Sequence, residues 1–75
     1  MPKIPALTAK KIIRVLKTAG FIEDRQKGSH LILINPKTKT RTVIPVHPGK
    51  TIKISLMRAI INDTKLTVEE FLKLL

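Results

Sequence analysis

The sequence predicts a two-layer α+β domain with the element order α-β-β-β-α-α and a three-stranded antiparallel sheet. Apolar residues recur at helical spacing near the N-terminus, change to strand-like patterns between residues 21 and 45, and return to helical spacing after residue 55. The strands follow one another with tight connections, which makes an antiparallel meander. We therefore expect the helices on one face of the sheet and the other face open.

The first helix is predicted to follow Thr8, which can cap it, and to end at Gly20 in a left-handed conformation. Four apolar residues at i, i+3, i+4 and i+7 mark its inner face: Ala9, Ile12, Ile13 and Leu16. Three cations at i, i+4 and i+7 mark its outer face: Lys10, Arg14 and Lys17. This basic stripe fits phosphate contacts and fits an ordinary solvated helix face equally well.

The three strands are predicted at residues 21–26, 30–35 and 41–45. Lys27-Gly28 is the predicted first turn, and residues 36–40, opened by Asn35-Pro36, are the second. Side chains alternate along the second strand, so His30, Ile32 and Ile34 lie on one face. The other face then holds Leu31, Leu33 and Asn35. Since both faces are apolar, we expect this strand at the centre of the sheet, with one face available to another chain.

Residues 46–50 match neither the helical nor the strand spacing of apolar residues and are predicted as a loop back across the sheet. A second helix is predicted from a cap at Ser55 to Thr64, with its breaker at Asn62-Asp63. Its inward-facing i, i+4 pairs are Leu56/Ile60 and Met57/Ile61. The capping-box pattern of residues 67–70 predicts a short last helix with the apolar positions Val68, Phe71, Leu72 and Leu75.

Length and composition indicate one globular domain, expected to span residues 1–75. The hydrophobic fraction of 43% fits a folded chain, and the absence of Cys excludes disulfides and thiolate zinc sites. The longest apolar run, residues 31–34, is far shorter than the ~20 residues of a membrane span. With no signal-peptide pattern at the N-terminus, we expect a cytoplasmic protein without a membrane partner.

Charge is the first indication of function. Fifteen Lys and Arg against five Asp and Glu leave a net charge of +10, and eight basic residues but no acidic one lie between Arg25 and Arg58. Such a balance favours a polyanionic partner such as RNA. Lysines kept for solubility, or an acidic protein partner, would explain the same balance. An anionic membrane is disfavoured because the first helix has no Trp or Phe anchor.

The two histidines are the candidate groups for chemistry. No metal-ligand spacing, Gly-rich phosphate loop, nucleophile elbow or carboxylate pair is found, so we expect neither a metal nor a cofactor. His30 follows the turn Lys27-Gly28-Ser29, where glycine lets the backbone approach a ligand and turn amides can face a phosphate. Imidazole, with a pKa of ~6.5, can take a proton from a ribose hydroxyl or protonate a leaving oxygen.

Each assignment has a plainer alternative. A lone His at the start of a strand is more often structural or merely exposed. His47 lies between prolines and either hydrogen-bonds its loop or acts as the second acid or base, for which it must approach His30. Lys27 and Arg41 are the candidate groups to stabilise charge on a phosphate.

Five segments, in order along nearly the whole chain, resemble the HicA-type mRNA interferase toxins. They are Ala19-Gly20-Phe21 closing the first helix, RQKGSH at residues 25–30, VIPVH at 43–47 with Gly49-Lys50, LMRAII at 56–61 and TVEEFL at 67–72. One departure is Lys65, because the family usually has Gly before the last helix. That change affects a turn and not the site.

The resemblance implies a double-stranded-RNA-binding-like fold, an endoribonuclease that degrades mRNA, and a HicB-type antitoxin that covers the active site. It places the catalytic histidine at His30, with Gly28 and Ser29 as the other members of its motif. A non-catalytic RNA-binding module, in which His30 is structural, is the alternative hypothesis. An acidic-protein-binding module is the third.

Overall fold

The computed structural model describes residues 3–75, so the first two residues of the predicted domain lie outside it. It confirms the predicted element order and the α+β class. The elements are α1 Ala9–Thr18, β1 Ile22–Lys27, β2 His30–Asn35, β3 Thr40–Pro45, α2 Ile54–Thr64 and α3 Val68–Lys73.

Helix α1 begins and ends where its capping residues predict. The Thr8 side chain accepts a hydrogen bond from the Lys11 N–H at 3.4 Å. At the other end, the Gly20 N–H donates to the Lys17 carbonyl and the Phe21 N–H donates to the Leu16 carbonyl, at 3.1 and 2.9 Å. Gly20 has a φ of +108°. This pair of bonds is the Schellman motif, which requires a residue that tolerates positive φ.

The sheet is an antiparallel meander in the order β1-β2-β3, which confirms β2 as the central strand. The predicted first turn is wrong by one residue: Lys27 belongs to β1 and pairs with His30, so the loop is Gly28-Ser29. Gly28 has a φ of +56°, and glycine in the first position of a two-residue loop lets pairing continue up to the loop. The first strand begins at Ile22 because Phe21 completes the helix cap.

The turn between β2 and β3 starts as predicted at Asn35, whose side-chain oxygen accepts a hydrogen bond from the Lys37 N–H at 3.0 Å. Thr40 pairs with Asn35 and therefore belongs to β3 rather than to the turn. The loop is thus residues 36–39, and β3 is one residue longer than predicted.

The helices cover one face of the sheet, as predicted. Leu31, Leu33 and Ile44 project from that face into a core that contains the most deeply buried helical residues Ile12, Leu16, Met57, Ile60 and Phe71. The coverage is uneven, because every residue of β1 is exposed. The hairpin arm β1 therefore extends beyond the helices and is open to solvent on both sides.

Three predictions for α2 are wrong. The N-cap is Lys53, with no side-chain capping bond, and Ser55 lies inside the first turn. Leu56 is 38% exposed because the buried face is centred on Met57, Ile60, Ile61 and Thr64, which leaves Leu56 on its flank. Asn62 and Asp63 do not break the helix, which ends instead at Lys65 in the left-handed conformation.

The last helix forms with the predicted capping box. The Glu70 N–H donates to the Thr67 hydroxyl at 3.0 Å, and the Thr67 N–H donates to the Glu70 carboxylate at 2.9 Å. Phe71 is fully buried, but Leu75 lies beyond the end of α3 and is 56% exposed. The helix therefore anchors the C-terminus through one aromatic side chain.

Candidate functional site

The open face of the sheet consists of three cross-strand rows. Residues directly opposite each other in neighbouring strands share a face, with Cβ atoms about 4.5–5.5 Å apart. The rows are Lys27–His30–Pro45, Arg25–Ile32–Val43 and Ile22–Ile34–Arg41. We call these nine residues the open face. It combines three cations and a histidine with apolar side chains.

His30 lies at the end of the open face, at the first position of β2, and is exposed. The Gly28-Ser29 loop beside it is held from two sides: the Gln26 side-chain amide donates to the Gly28 carbonyl at 3.1 Å, and the Val46 N–H donates to the Ser29 carbonyl at 2.6 Å. A side chain at Gly28 would meet no atom within 4 Å. A ligand can therefore approach the loop and the imidazole together from solvent.

The three cations of the open face lie at different distances from His30. Lys27 is directly opposite it, Arg25 is in the next row, and Arg41 is in the third row, about 13 Å along the strand direction. Arg41 is thus the candidate furthest from the histidine. Arg25 is a neighbour that the sequence analysis did not single out, although its two-residue spacing from Lys27 predicts a shared face.

A β-bulge between Glu23 and Arg25 leaves Asp24 as the extra residue of β1. Its carboxylate accepts a hydrogen bond from the Arg25 guanidinium at 3.3 Å. The Arg25 side chain is 62% exposed, so solvent screens this pair and the cation stays accessible.

The basic stripe of α1 divides into two parts. Lys17 forms an exposed ion pair with Glu23 of β1, with 2.5 Å between the ammonium nitrogen and the carboxylate oxygen. Lys10 and Arg14 have no ion pair within residues 3–75 and border a shallow surface depression together with Thr8 and Lys11. The N-terminal half of the stripe is therefore the part free to contact an anion.

His47 follows Pro45, the cross-strand partner of His30, by two residues. It lines a cavity of about 440 Å³ between the first turns of α1 and the loop of residues 46–49, and Lys10 lines the same cavity. His30 is not part of its wall. The structure thus places His47 beside the first turns of α1.

Within the described part of the chain, no three His, Asp or Glu side chains lie close enough to hold a metal ion together. None of the helices in residues 3–75 has the length and hydropathy needed to cross a membrane.

The family model for the HicA toxin of bacterial toxin–antitoxin systems matches residues 9–66, most of the chain. The chain belongs to the HicA toxin family. The match runs from the first residue of α1 to Leu66 in the α2–α3 turn, so it includes both histidines, the open face and every cavity residue except Thr8. As a HicA protein, it is a toxin of a toxin–antitoxin system, which implies an antitoxin as its partner.

The helix, the three antiparallel strands and the two helices agree with the double-stranded-RNA-binding-like fold of HicA proteins. The match ends before the capping box of α3, so the resemblance over residues 67–72 stays a prediction. No curated protein matches the chain.

Proposed function

We propose that this HicA protein is a metal-independent endoribonuclease that cleaves mRNA, with His30 as its catalytic residue. The observation that carries the proposal is the position of His30: an exposed imidazole opposite Lys27 and beside an open turn. Nothing in the described chain obstructs the approach of an RNA phosphate to this group. A cation next to the reacting phosphate is what the reaction needs, because negative charge develops there in the transition state.

The proposed reaction is an internal transesterification. A base takes the proton of the ribose 2′-hydroxyl, and the 2′-oxygen forms a bond to phosphorus as the bond from phosphorus to the 5′-oxygen breaks. An acid then protonates the departing 5′-oxygen. The products are a 2′,3′-cyclic phosphate and a 5′-hydroxyl, so no water molecule is consumed. His30 performs one of the two proton transfers, and Lys27 with Arg25 neutralises charge on the phosphate.

The rest of the basic surface holds the substrate. Arg41 lies at the far end of the open face, about 13 Å from His30 along the strand direction, and Lys10 with Arg14 lies on α1 rather than on the open face. They are positioned to bind other phosphates of the chain, which contributes affinity rather than proton transfer.

A HicB-type antitoxin is the proposed inhibitor, covering the open face. That face carries the uncovered apolar residues Ile22 and Ile34 beside its cations, and Ile22 is 52% exposed. Apolar groups ringed by charge are typical of protein interfaces. Competition tests this: the antitoxin should displace RNA from the His30→Ala protein, and simultaneous binding of both would contradict it.

The main test is cleavage of RNA by the His30→Ala protein in EDTA. Loss of a general acid or base should slow cleavage by about 10²- to 10⁴-fold. Because His30 is exposed, the fold should be unchanged, and RNA affinity should stay close to that of the wild type. Ser55→Ala, an exposed change on α2 behind the sheet, is the control and should cleave normally.

Three outcomes would overturn the proposal. Unchanged cleavage by His30→Ala would remove the histidine from the reaction. Intact RNA with the wild-type protein would favour a non-catalytic RNA-binding module, and cleavage that stops on adding EDTA would show that a metal is required.

A substrate with sulfur in place of the bridging 5′-oxygen distinguishes the two roles of His30. A thiolate leaves without being protonated, since thiols are far stronger acids than alcohols. If His30 is the acid, this substrate should restore cleavage by His30→Ala almost to the wild-type rate. If His30 is the base, the variant should remain slow on both substrates.

A further inference from the structure

The cavity beside His47 has apolar walls and a basic rim. Ala9 and Ile13 of α1 form one wall, Val46 and Pro48 of the loop form the other, and Lys10 lies at the edge with His47. We call this the α1 cavity. Its volume of about 440 Å³ lies within the range of sites that bind small molecules, roughly 300–1,000 Å³.

The walls of the α1 cavity are supported from behind. Ala9 is buried, and Ile13 and Val46 are partly buried and pack against the hydrophobic core. The Ile52 N–H donates to the Leu7 carbonyl at 2.8 Å, which ties the chain after the loop to the segment that precedes α1. The cavity is therefore a formed feature of the fold, and its occupant must present an apolar surface.

The charge around the α1 cavity defines that occupant further. The depression next to it is bordered by Lys10, Lys11 and Arg14, and no acidic residue lines either one. A second copy of this chain is disfavoured because each copy carries a net charge of +10. The occupant should combine a flat apolar group, which fits the walls, with a negative charge, which fits the basic rim. A nucleotide has both, as its base and its phosphate.

The aromatic content of the chain limits where an unpaired base could bind. Proteins that hold unpaired bases usually stack them on exposed aromatic side chains. This chain has no Trp or Tyr, and its two Phe residues, Phe21 and Phe71, are buried. A base bound by this protein therefore has no exposed Phe, Tyr or Trp to stack on, and the α1 cavity is an apolar alternative with an imidazole at its edge.

The α1 cavity is also linked to the proposed catalytic site through neighbouring backbone. Pro45 is the cross-strand partner of His30, and the next residue, Val46, lines the cavity. The hydrogen bond from the Val46 N–H to the Ser29 carbonyl joins the cavity wall to the turn before His30. A nucleotide in the cavity is thus within a short stretch of RNA from the bond that is cleaved.

We propose that the α1 cavity is a subsite for one unpaired base of the RNA substrate, with Lys10 and Arg14 binding the phosphates next to that base. The proposal rests on the proposed function in one respect, that the substrate is RNA. It assigns to His47 a role in binding the substrate.

The test measures binding of RNA to the His30→Ala protein, so that cleavage does not interfere. A set of single-stranded oligonucleotides carries one abasic residue each, at successive positions. Because the cavity offers one imidazole ring and no Phe, Tyr or Trp, loss of the base at the position that occupies the cavity should weaken binding by about 5-fold, the lower end of the range for base–aromatic stacking. Other positions should have smaller effects.

A cavity-filling variant identifies where that base binds. Ile13→Trp should lower the affinity for the complete RNA and abolish the penalty at the one abasic position. Ile54→Trp adds the same side chain at an exposed site on α2 outside the cavity and should leave the penalty in place. Equal penalties at all positions, or a penalty that persists in Ile13→Trp, would overturn the proposal.

A second measurement avoids any question about the fold of Ile13→Trp. Amide NMR signals of the wild-type protein titrated with adenosine and uridine monophosphate should shift at residues 9–13 and 46–49. Shifts confined to other residues would overturn the proposal. Cleavage by the wild type without a position-specific abasic penalty would reject the subsite alone, whereas a position-specific penalty without cleavage would reject the enzyme and leave the subsite standing.

Discussion

Lys65 holds a backbone conformation that its side chain does not favour. It ends α2 with φ and ψ of +65° and 9°, in the left-handed region, and its N–H donates to the Asn62 carbonyl at 3.2 Å. A residue with a Cβ atom is destabilised there by roughly 1–2 kcal/mol. Glycine avoids this cost but loses more backbone entropy on folding, about 0.5–1 kcal/mol.

We therefore expect Lys65→Gly to raise the free energy of unfolding by about 0.5–1 kcal/mol, measured by urea denaturation. Lys65→Ala removes the same charge but keeps the Cβ atom, so it should change stability by less than about 0.5 kcal/mol. Equal effects of the two substitutions would show that the backbone conformation is not the cause.

The residues of the candidate site differ in how far sequence patterns predict them. Period-two alternation correctly places His30 on the same face as Ile32 and Ile34, because that pattern depends only on strand geometry. The distance of Arg41 from His30 could not be predicted, since it depends on the register between β2 and β3. The pairing of Lys17 with Glu23 depends in the same way on how α1 lies over β1.

The capping box of α3 makes the stability of the C-terminal region depend on pH. The Thr67 backbone N–H and its hydroxyl both stabilise the charged carboxylate, so the pKa of Glu70 is lowered from its ordinary value of 4.5. A depressed pKa in the folded state means that Glu70 contributes stability above pH 4.5. That contribution is lost as the pH falls below 4.5 and through the folded-state pKa.

We expect Glu70→Gln to melt at a lower temperature than the wild type near pH 7, with the difference shrinking as the pH is lowered below 4.5. A neutral Gln resembles the protonated Glu, so the two proteins should converge in acid. Thermal melts at several pH values measure this. Glu69→Gln removes one charge from the same turn outside the capping box, and a matching pH dependence for that variant would contradict the assignment.

Elements are predicted best where the capping chemistry is local. Thr8, Gly20 and Thr67 mark helix ends through contacts within a few residues, and all three are confirmed. Helix α2 has no side-chain cap, and its N-terminus and inward face are set by packing against β3, so the predictions for Ser55 and Leu56 are wrong. The α1 cavity is likewise a tertiary feature, because its walls come from segments more than 30 residues apart in the sequence.

The charge of the whole molecule should dominate its affinity for RNA. Each phosphate neutralised in a single strand adds about 0.7 to the slope of log affinity against log salt concentration. We expect Lys10→Gln in the His30→Ala background to lower that slope by about 0.7. Lys73→Gln removes one charge from α3, behind the sheet, and should leave the slope unchanged. Equal slopes for all three proteins would show that Lys10 does not contact phosphate.

At the level of the whole fold, composition and periodicity were sufficient to predict the layers, the sheet order and an open face. These predictions use only the total charge and the spacing of apolar residues, neither of which depends on how individual side chains pack. The uneven coverage of the sheet could not be foreseen, because the helices pack mainly over β2 and β3 and leave β1 exposed.

The exposed strand β1 presents an unpaired backbone edge, and such edges promote addition of further strands from other molecules. Here the edge is interrupted by the bulge at Asp24 and lined with the charged side chains Glu23, Arg25 and Lys27. A neighbouring molecule would have to match an irregular register and remove water from these charged side chains. The same arm that leaves the open face accessible is thus protected against growth into fibrils, which matters for a small protein with a solvent-exposed sheet.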